Sequence, residues 1–224
     1  MSLAHPFRLW VVAGVAAAML AACGPVDGNA TAANEATADS ASGAYPAADV
    51  LTAFRSACSD LGSLDGAATR LRGAGWSELS TTRGTPIGPL MEFAEGTGNR
   101  VVERAGGTVA PMRSFRHQVA GEELYLVLSQ VDIDGRVSVG CRMYDVDEPR
   151  RISVADATSW LGRSPADVID RPDMMRGLWA PGLSEGQENF ELFYIPQGSP
   201  ALQLIRIAGI GLKADQVVAP SGKP

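Results

Sequence analysis

The stretch Gly121–Val146, reading GEELYLVLSQVDIDGRVSVGCRMYDV, constrains this chain more than any other. Apolar and polar residues alternate on both sides of Asp134-Gly135, a dipeptide suited to a two-residue type I′ turn because both positions tolerate positive φ. A turn there sets the register, with Cys141 opposite Leu128 and Val139 opposite Gln130. Leu124, Leu126, Leu128, Val137, Val139, Cys141 and Met143 then share one face of the hairpin. Such a face has to be buried against another layer of structure.

The partners for that face lie upstream. Leu51, Phe54, Cys58 and Leu61 recur at helical spacing, predicting a helix over Ala47–Leu61 with Asp49 near its positive end. A second helix is predicted from Ser63, a good N-cap, to Ala74, closed by Gly75. Leu90–Ala94, Asn99–Ala105 and Met112–Ala120 read as strands separated by glycine turns. After Pro149, Ser153–Asp156 and Ser164–Asp167 both look like capping boxes with Asp in place of Glu, predicting two short helices. Glu188–Ile195 and Ala201–Gly209 form a second hairpin around PQGSP, and VVAPSGKP reads as a frayed end. The order predicts an α+β domain over residues 47–224: an N-terminal helical hairpin packed on an antiparallel sheet, with a short helical insert before a C-terminal hairpin.

Residues 1–22 have a different character. Arg8 precedes an uncharged run, Leu9–Ala22, that is too short for the roughly 20 apolar residues a membrane-spanning helix needs. Its length and charge order are those of a signal-peptide core. The run ends in Leu20-Ala21-Ala22-Cys23, which resembles the lipobox of bacterial lipoproteins: an aliphatic residue, two small residues and Cys. The resemblance implies cleavage before Cys23, diacylation of its thiol and acylation of the new amine, leaving an exported protein held to the membrane by lipid. Long acyl chains contribute about 0.8 kcal/mol per buried methylene, so two or three anchor firmly. Gly24 follows where a retention-type Asp would hold the protein in the inner membrane, so the expectation is the outer membrane, facing the periplasm. With Cys23, the Ala-, Gly- and Ser-rich segment through Pro46 forms a tether (residues 23–46) with a root-mean-square reach of about 25 to 30 Å.

Cys58 and Cys141 remain after lipidation, each placed on a core-facing position, one by helical and one by strand periodicity. Two cysteines in an oxidising compartment predict a disulfide. It would staple the first helix to the central hairpin, contributing about 4.5 kcal/mol in the chain-entropy picture. The helix carrying Phe54-x-x-x-Cys58, followed by Ala74-Gly75-Trp76, resembles small exported alphaproteobacterial proteins of no assigned activity, and that resemblance implies no functional residues.

Groups with chemistry to offer are few. The net charge of -6 argues against nucleic acid as a partner. His117 is the only histidine beyond the signal segment, so any imidazole base must be this residue, and it sits on a predicted strand with no catalytic partner in view. Gly162-Arg-Ser-Pro-Ala166 lacks the last glycine of a nucleophile elbow. Asp132 and Asp134 cannot join Asp145, Asp147 and Glu148 on one ion, because the hairpin separates the turn from Asp145 by roughly 30 Å. These acids read as solvated turn and edge groups, and neither a metal, a cofactor nor a catalytic residue is expected. Trp179, with Met174 and Met175, lies in the loop-like GLWAPGLSEG region. It is expected as a buried anchor or, where exposed, as a binding surface. The leading expectation is a lipid-anchored envelope protein that binds or scaffolds a partner, the membrane being engaged through the lipid. The alternatives are a periplasmic hydrolase, needing His117 or an acidic pair in a shared cleft, and a carrier of a small apolar ligand, needing a cavity between helices and sheet.

Overall fold

The computed structural model describes residues 43–218. The signal segment, the lipobox with Cys23, most of the tether and residues 219–224 lie outside the described residues. Helix α1 (Ala47–Cys58) buries Val50, Leu51, Phe54, Ala57 and Cys58 along one stripe. In α2 (Leu64–Gly73) the Ser63 hydroxyl accepts a hydrogen bond from the Gly66 N–H, as its cap position predicts, and Ala67, Ala68 and Leu71 are buried. A short strand β1 (Ser77–Glu78) follows.

The next segment departs from expectation. Leu90–Ala94 and Asn99–Ala105 are not strands; both belong to one helix, α3 (Gly88–Ala105). Gly96 and Gly98 in its middle and the β-branched pair Val101-Val102 hide a helical stripe that runs through Leu90, Met91, Ala94, Gly98 and Val102. The end signals were present: Pro89 in the first turn, and Gly106 in the left-handed conformation closing the helix.

Then come β2 (Thr108–Val109), β3 (Arg113–Val119), β4 (Glu122–Ile133) and β5 (Arg136–Val146). The β4–β5 register is the expected one: Leu128 pairs with Cys141, Gln130 with Val139. Asp134 and Gly135 at the turn both have positive φ. Helix α4 (Val154–Leu161) carries the predicted capping box, with Ser153 and Asp156 bonding each other's backbone N–H. The second predicted helix, from Ser164, is absent. Its residues lead into an edge strand, β6 (Asp167–Arg171), which pairs with β7 (Met174–Trp179). There the Ala166 N–H donates to the Leu178 carbonyl, so the backbone joins a ladder in place of a helical turn.

Strand β8 (Gln187–Ile195) is close to expectation. Its partner is not Ala201–Ala208, which holds the single-turn helix α5 (Leu202–Ile205), closed by Arg206 at positive φ; of the expected strand only Gly209 pairs with it. The partner is β9 (Gly209–Val218), where Ile210, Leu212 and Ala214 alternate inward and Lys213 and Asp215 outward. This strand includes Val217 and Val218, so the chain is still paired where the sequence predicts a frayed end.

The fold is α+β, with one nine-stranded antiparallel sheet in the order β1-β3-β4-β5-β9-β8-β7-β6 and β2 added alongside β4. Its inner face carries Leu124, Leu126, Leu128, Val139, Cys141, Met143, Phe190, Leu192 and Leu212, packed with the buried residues of α1, α2 and α4. Cys58 and Cys141 are bonded at an S–S distance of 1.99 Å, stapling α1 to the central hairpin. The Gln187 side chain donates to the Cys58 carbonyl at 2.6 Å, and the Gln216 carbonyl oxygen accepts from the Leu61 N–H at 3.0 Å. These bonds satisfy the backbone where α1 ends inside the core.

The sheet's outer face is not bare. Tyr125, Val127 and Tyr144 on β4 and β5, with Ile87, Met91 and Ile207, form a second apolar cluster under α3. Helices therefore cover both faces of the central strands, where the sequence predicts them on one.

Candidate functional site

Helix α3 is a poor lid by the standards of a core helix. Only Gly88, Met91 and Val102 of its 18 residues are buried. Phe93 and Val101 are partly exposed, at 37% and 49%. Gly98 carries no side chain where a Cβ would meet the Val109 methyls of β2. The result is a groove of about 330 Å³ between α3 and the outer face of β4 and β5. Leu90, Met91, Phe93 and Ala94 form the helix wall, while Val127, Val131 and Tyr144 form the floor. Met112, Val109 and Ile205 complete the sides. Across one side Arg206 reaches over the Phe93 ring at 5.3 Å, joining α5 to α3.

The groove is apolar except at defined points. Glu95 and Thr97 stand on the helix, and Ser129 and Arg142 on the floor. Arg142 lies flat across the sheet over Gly140, where any Cβ would collide with its guanidinium. One N–H donates to the Ser129 hydroxyl at 2.9 Å and another to Asp215 at 3.1 Å. The second oxygen of Asp215 receives Lys213 at 3.0 Å. A volume in this range, with apolar walls and a few fixed polar groups, is the ordinary form of a small-molecule site.

A second constellation sits at the other side of the sheet's end. Glu122, Asp145 and Glu148 bring carboxylate oxygens within 4.8 Å of one another. Arg150 donates to Glu122 at 2.8 Å and to Glu148 at 2.6 Å, and lies 5.3 Å over the Tyr45 ring. The Tyr45 hydroxyl donates to Asp145 at 2.8 Å, across a hundred residues of chain. Asp145 and Glu148 are thus buried, not solvated edge groups as their sequence context had suggested. Burial strips water from the Asp145 carboxylate and pushes its pKa up to about 6; the Tyr45 hydrogen bond opposes this, while Glu148 and Glu122 add to it. The Arg150 hydrogen bond holds Glu148 below the usual range. One guanidinium therefore neutralises two of the three acids, and the third keeps its proton more readily. Asp132 and Asp134 do stay at the turn, where Asp132 accepts from the Gly135 N–H at 3.0 Å.

The other residues singled out from the sequence fall elsewhere. His117 stacks beside Trp76 at 5.2 Å, and no hydrogen bond of its ring is found among the described residues. Trp179 is not in a loop and offers no surface. It ends β7, fully buried, with its ring over Gly177 and 5.4 Å from Phe190. Strand alternation sends Met175, Gly177 and Trp179 inward together, leaving Met174 only half-buried at the strand's start. The groove was missed because one face of the hairpin had been given all the burial. Its signal was Leu124-Tyr-Leu-Val-Leu128, a continuous apolar run that marks a strand covered on both faces. Compared with protein-family models, curated proteins and solved structures, the chain matches none.

Proposed function

We propose that this is a lipid-anchored envelope protein whose folded domain binds a small apolar ligand in the groove beneath α3. The observation that carries the reading is the groove itself, an apolar cleft between a loosely seated helix and the outer face of the sheet. Its about 330 Å³ falls at the lower end of the range of small-molecule sites. That suits one acyl chain and not a folded partner. The lipobox ending in Cys23 supports membrane attachment, and the Cys58–Cys141 bridge is compatible with an exported protein. Of the three residues expected as a binding surface, Trp179 and Met175 are inside the core and Met174 is half-buried. On this reading the tether holds the binding domain near a bilayer that can supply apolar chains.

Two experiments test the two halves. Titrating the purified full-length protein with a fluorescent alkyl probe should give saturable binding, which Ala94→Trp should abolish by filling the groove. Equal binding by the variant would refute the groove. Metabolic labelling with palmitate should mark the wild type and not Cys23→Ser, and an unlabelled wild type would remove the anchor.

A further inference from the structure

The floor of the groove specifies more than apolarity. Of the residues lining it, Arg142 is the only cation, and the only other charged group, Glu95, is a solvent-exposed residue of α3. The guanidinium has five N–H donors, and the bonds to Ser129 and Asp215 commit two of them. Its countercharge is shared: Asp215 also binds Lys213, so two cations lean on one carboxylate. The Arg142 side chain is 30% exposed, which leaves it open to the groove. Gly140 clears the space in which the guanidinium lies, and Ser129 and Asp215 hold its plane against the sheet. A fixed, partly desolvated guanidinium with free donors is a receptor for a planar or tetrahedral oxyanion.

Resting on the groove being a binding site, we infer that its ligand is a single-chain amphiphile with an anionic head, the chain lying under α3 and the head on Arg142. The charge is complementary, and one pinned cation on an otherwise apolar floor matches a chain that ends in a carboxylate or phosphate. Ser129 serves as the positioning residue, and Lys213 offsets the charge of Asp215 so that the arriving anion meets a net positive floor.

The test compares ligands of one chain length. Dodecanoate, dodecyl phosphate and dodecanol are titrated against the full-length wild type, Arg142→Met and Arg142→Lys. Wild type should prefer either anion over the alcohol by roughly tenfold or more, the value expected of one charge-assisted contact. Arg142→Met should lose the preference and bind all three alike, and Arg142→Lys should recover part of it. The relative affinity of carboxylate and phosphate tells which head is taken. Equal wild-type affinity for anion and alcohol would overturn the assignment of Arg142 while leaving the groove intact, and that comparison stands even where a variant folds poorly. Failure of every ligand to bind wild type would overturn the groove reading itself.

Discussion

Asp145 is the residue whose environment departs most from its sequence context. Its carboxyl titrates at about 6 in the folded protein, chiefly through burial, against about 3.9 in an unfolded chain. The folded state therefore binds this proton more tightly than the unfolded state does. The stability it contributes is complete below about pH 3.9 and is lost as pH rises through about 6. Between about pH 5 and about pH 7.5 that loss amounts to roughly 1 kcal/mol. Glu148, held low by Arg150, acts in the opposite sense and only at more acid pH. Asp145→Asn, which still accepts the Tyr45 hydrogen bond, should lack the roughly 1 kcal/mol fall. Denaturant unfolding of both proteins at the two pH values measures it, and parallel pH profiles would contradict the assignment. The same residue shows how sequence reading misjudges a single side chain. Neighbouring Asp147 and Glu148 suggested a wet acidic turn. Burial came instead through Tyr45, a hundred residues away in the chain, which no local pattern couples to Asp145.

At the level of elements, α3 is the part whose stability matters to function. Gly96 and Gly98 lower its helix propensity by about 1 kcal/mol each relative to Ala. A Cβ at 98 would meet the Val109 methyls at 3.7 and 3.9 Å, an ordinary contact. Gly98→Ala should therefore stabilise α3 and slow amide exchange over residues 88–105 by about two- to fivefold. Unchanged or faster exchange would show that the helix is not limited by its glycines. The glycines also explain what could be read from the sequence and what could not. Elements with clean periodicity were legible: α1 except for its end, at Cys58 where Leu61 is expected, α2, α4, and the β4–β5 hairpin down to its register. In α3 the glycines and Val101-Val102 imitated turns between strands, although Pro89 and Gly106 marked one helix. β6 and β9 were misjudged because a capping pattern and a C-terminal position outweighed their alternation. The groove depends on α3 lying over the outer face, so missing the helix meant missing the site.

For the whole molecule, the disulfide and the two-sided covering of the central strands set the architecture. The bridge closes an 83-residue separation. Its loss should cost about 4.5 kcal/mol in the chain-entropy picture, an upper value since unfolded chains keep some structure. Cys58→Ala with Cys141→Ala, compared with wild type by urea unfolding, measures this; a loss below about 1 kcal/mol would show that α1 docks without the staple. The arrangement divides the labour between the faces. The inner face holds the fold together with a sealed core and a covalent tie, and the outer face is free to keep an unfilled groove under a helix that contributes little to the core. Photolabelling places a ligand in this frame most directly. The full-length protein is irradiated with an alkyl diazirine, with and without excess unlabelled alkyl chain, and the adducts are mapped by peptide mass spectrometry. Competable adducts on α3 and on the Val127–Val131 and Tyr144 region are expected. Adducts confined to α1, α2 or α4, or labelling that excess chain does not displace, would contradict a binding groove on the outer face.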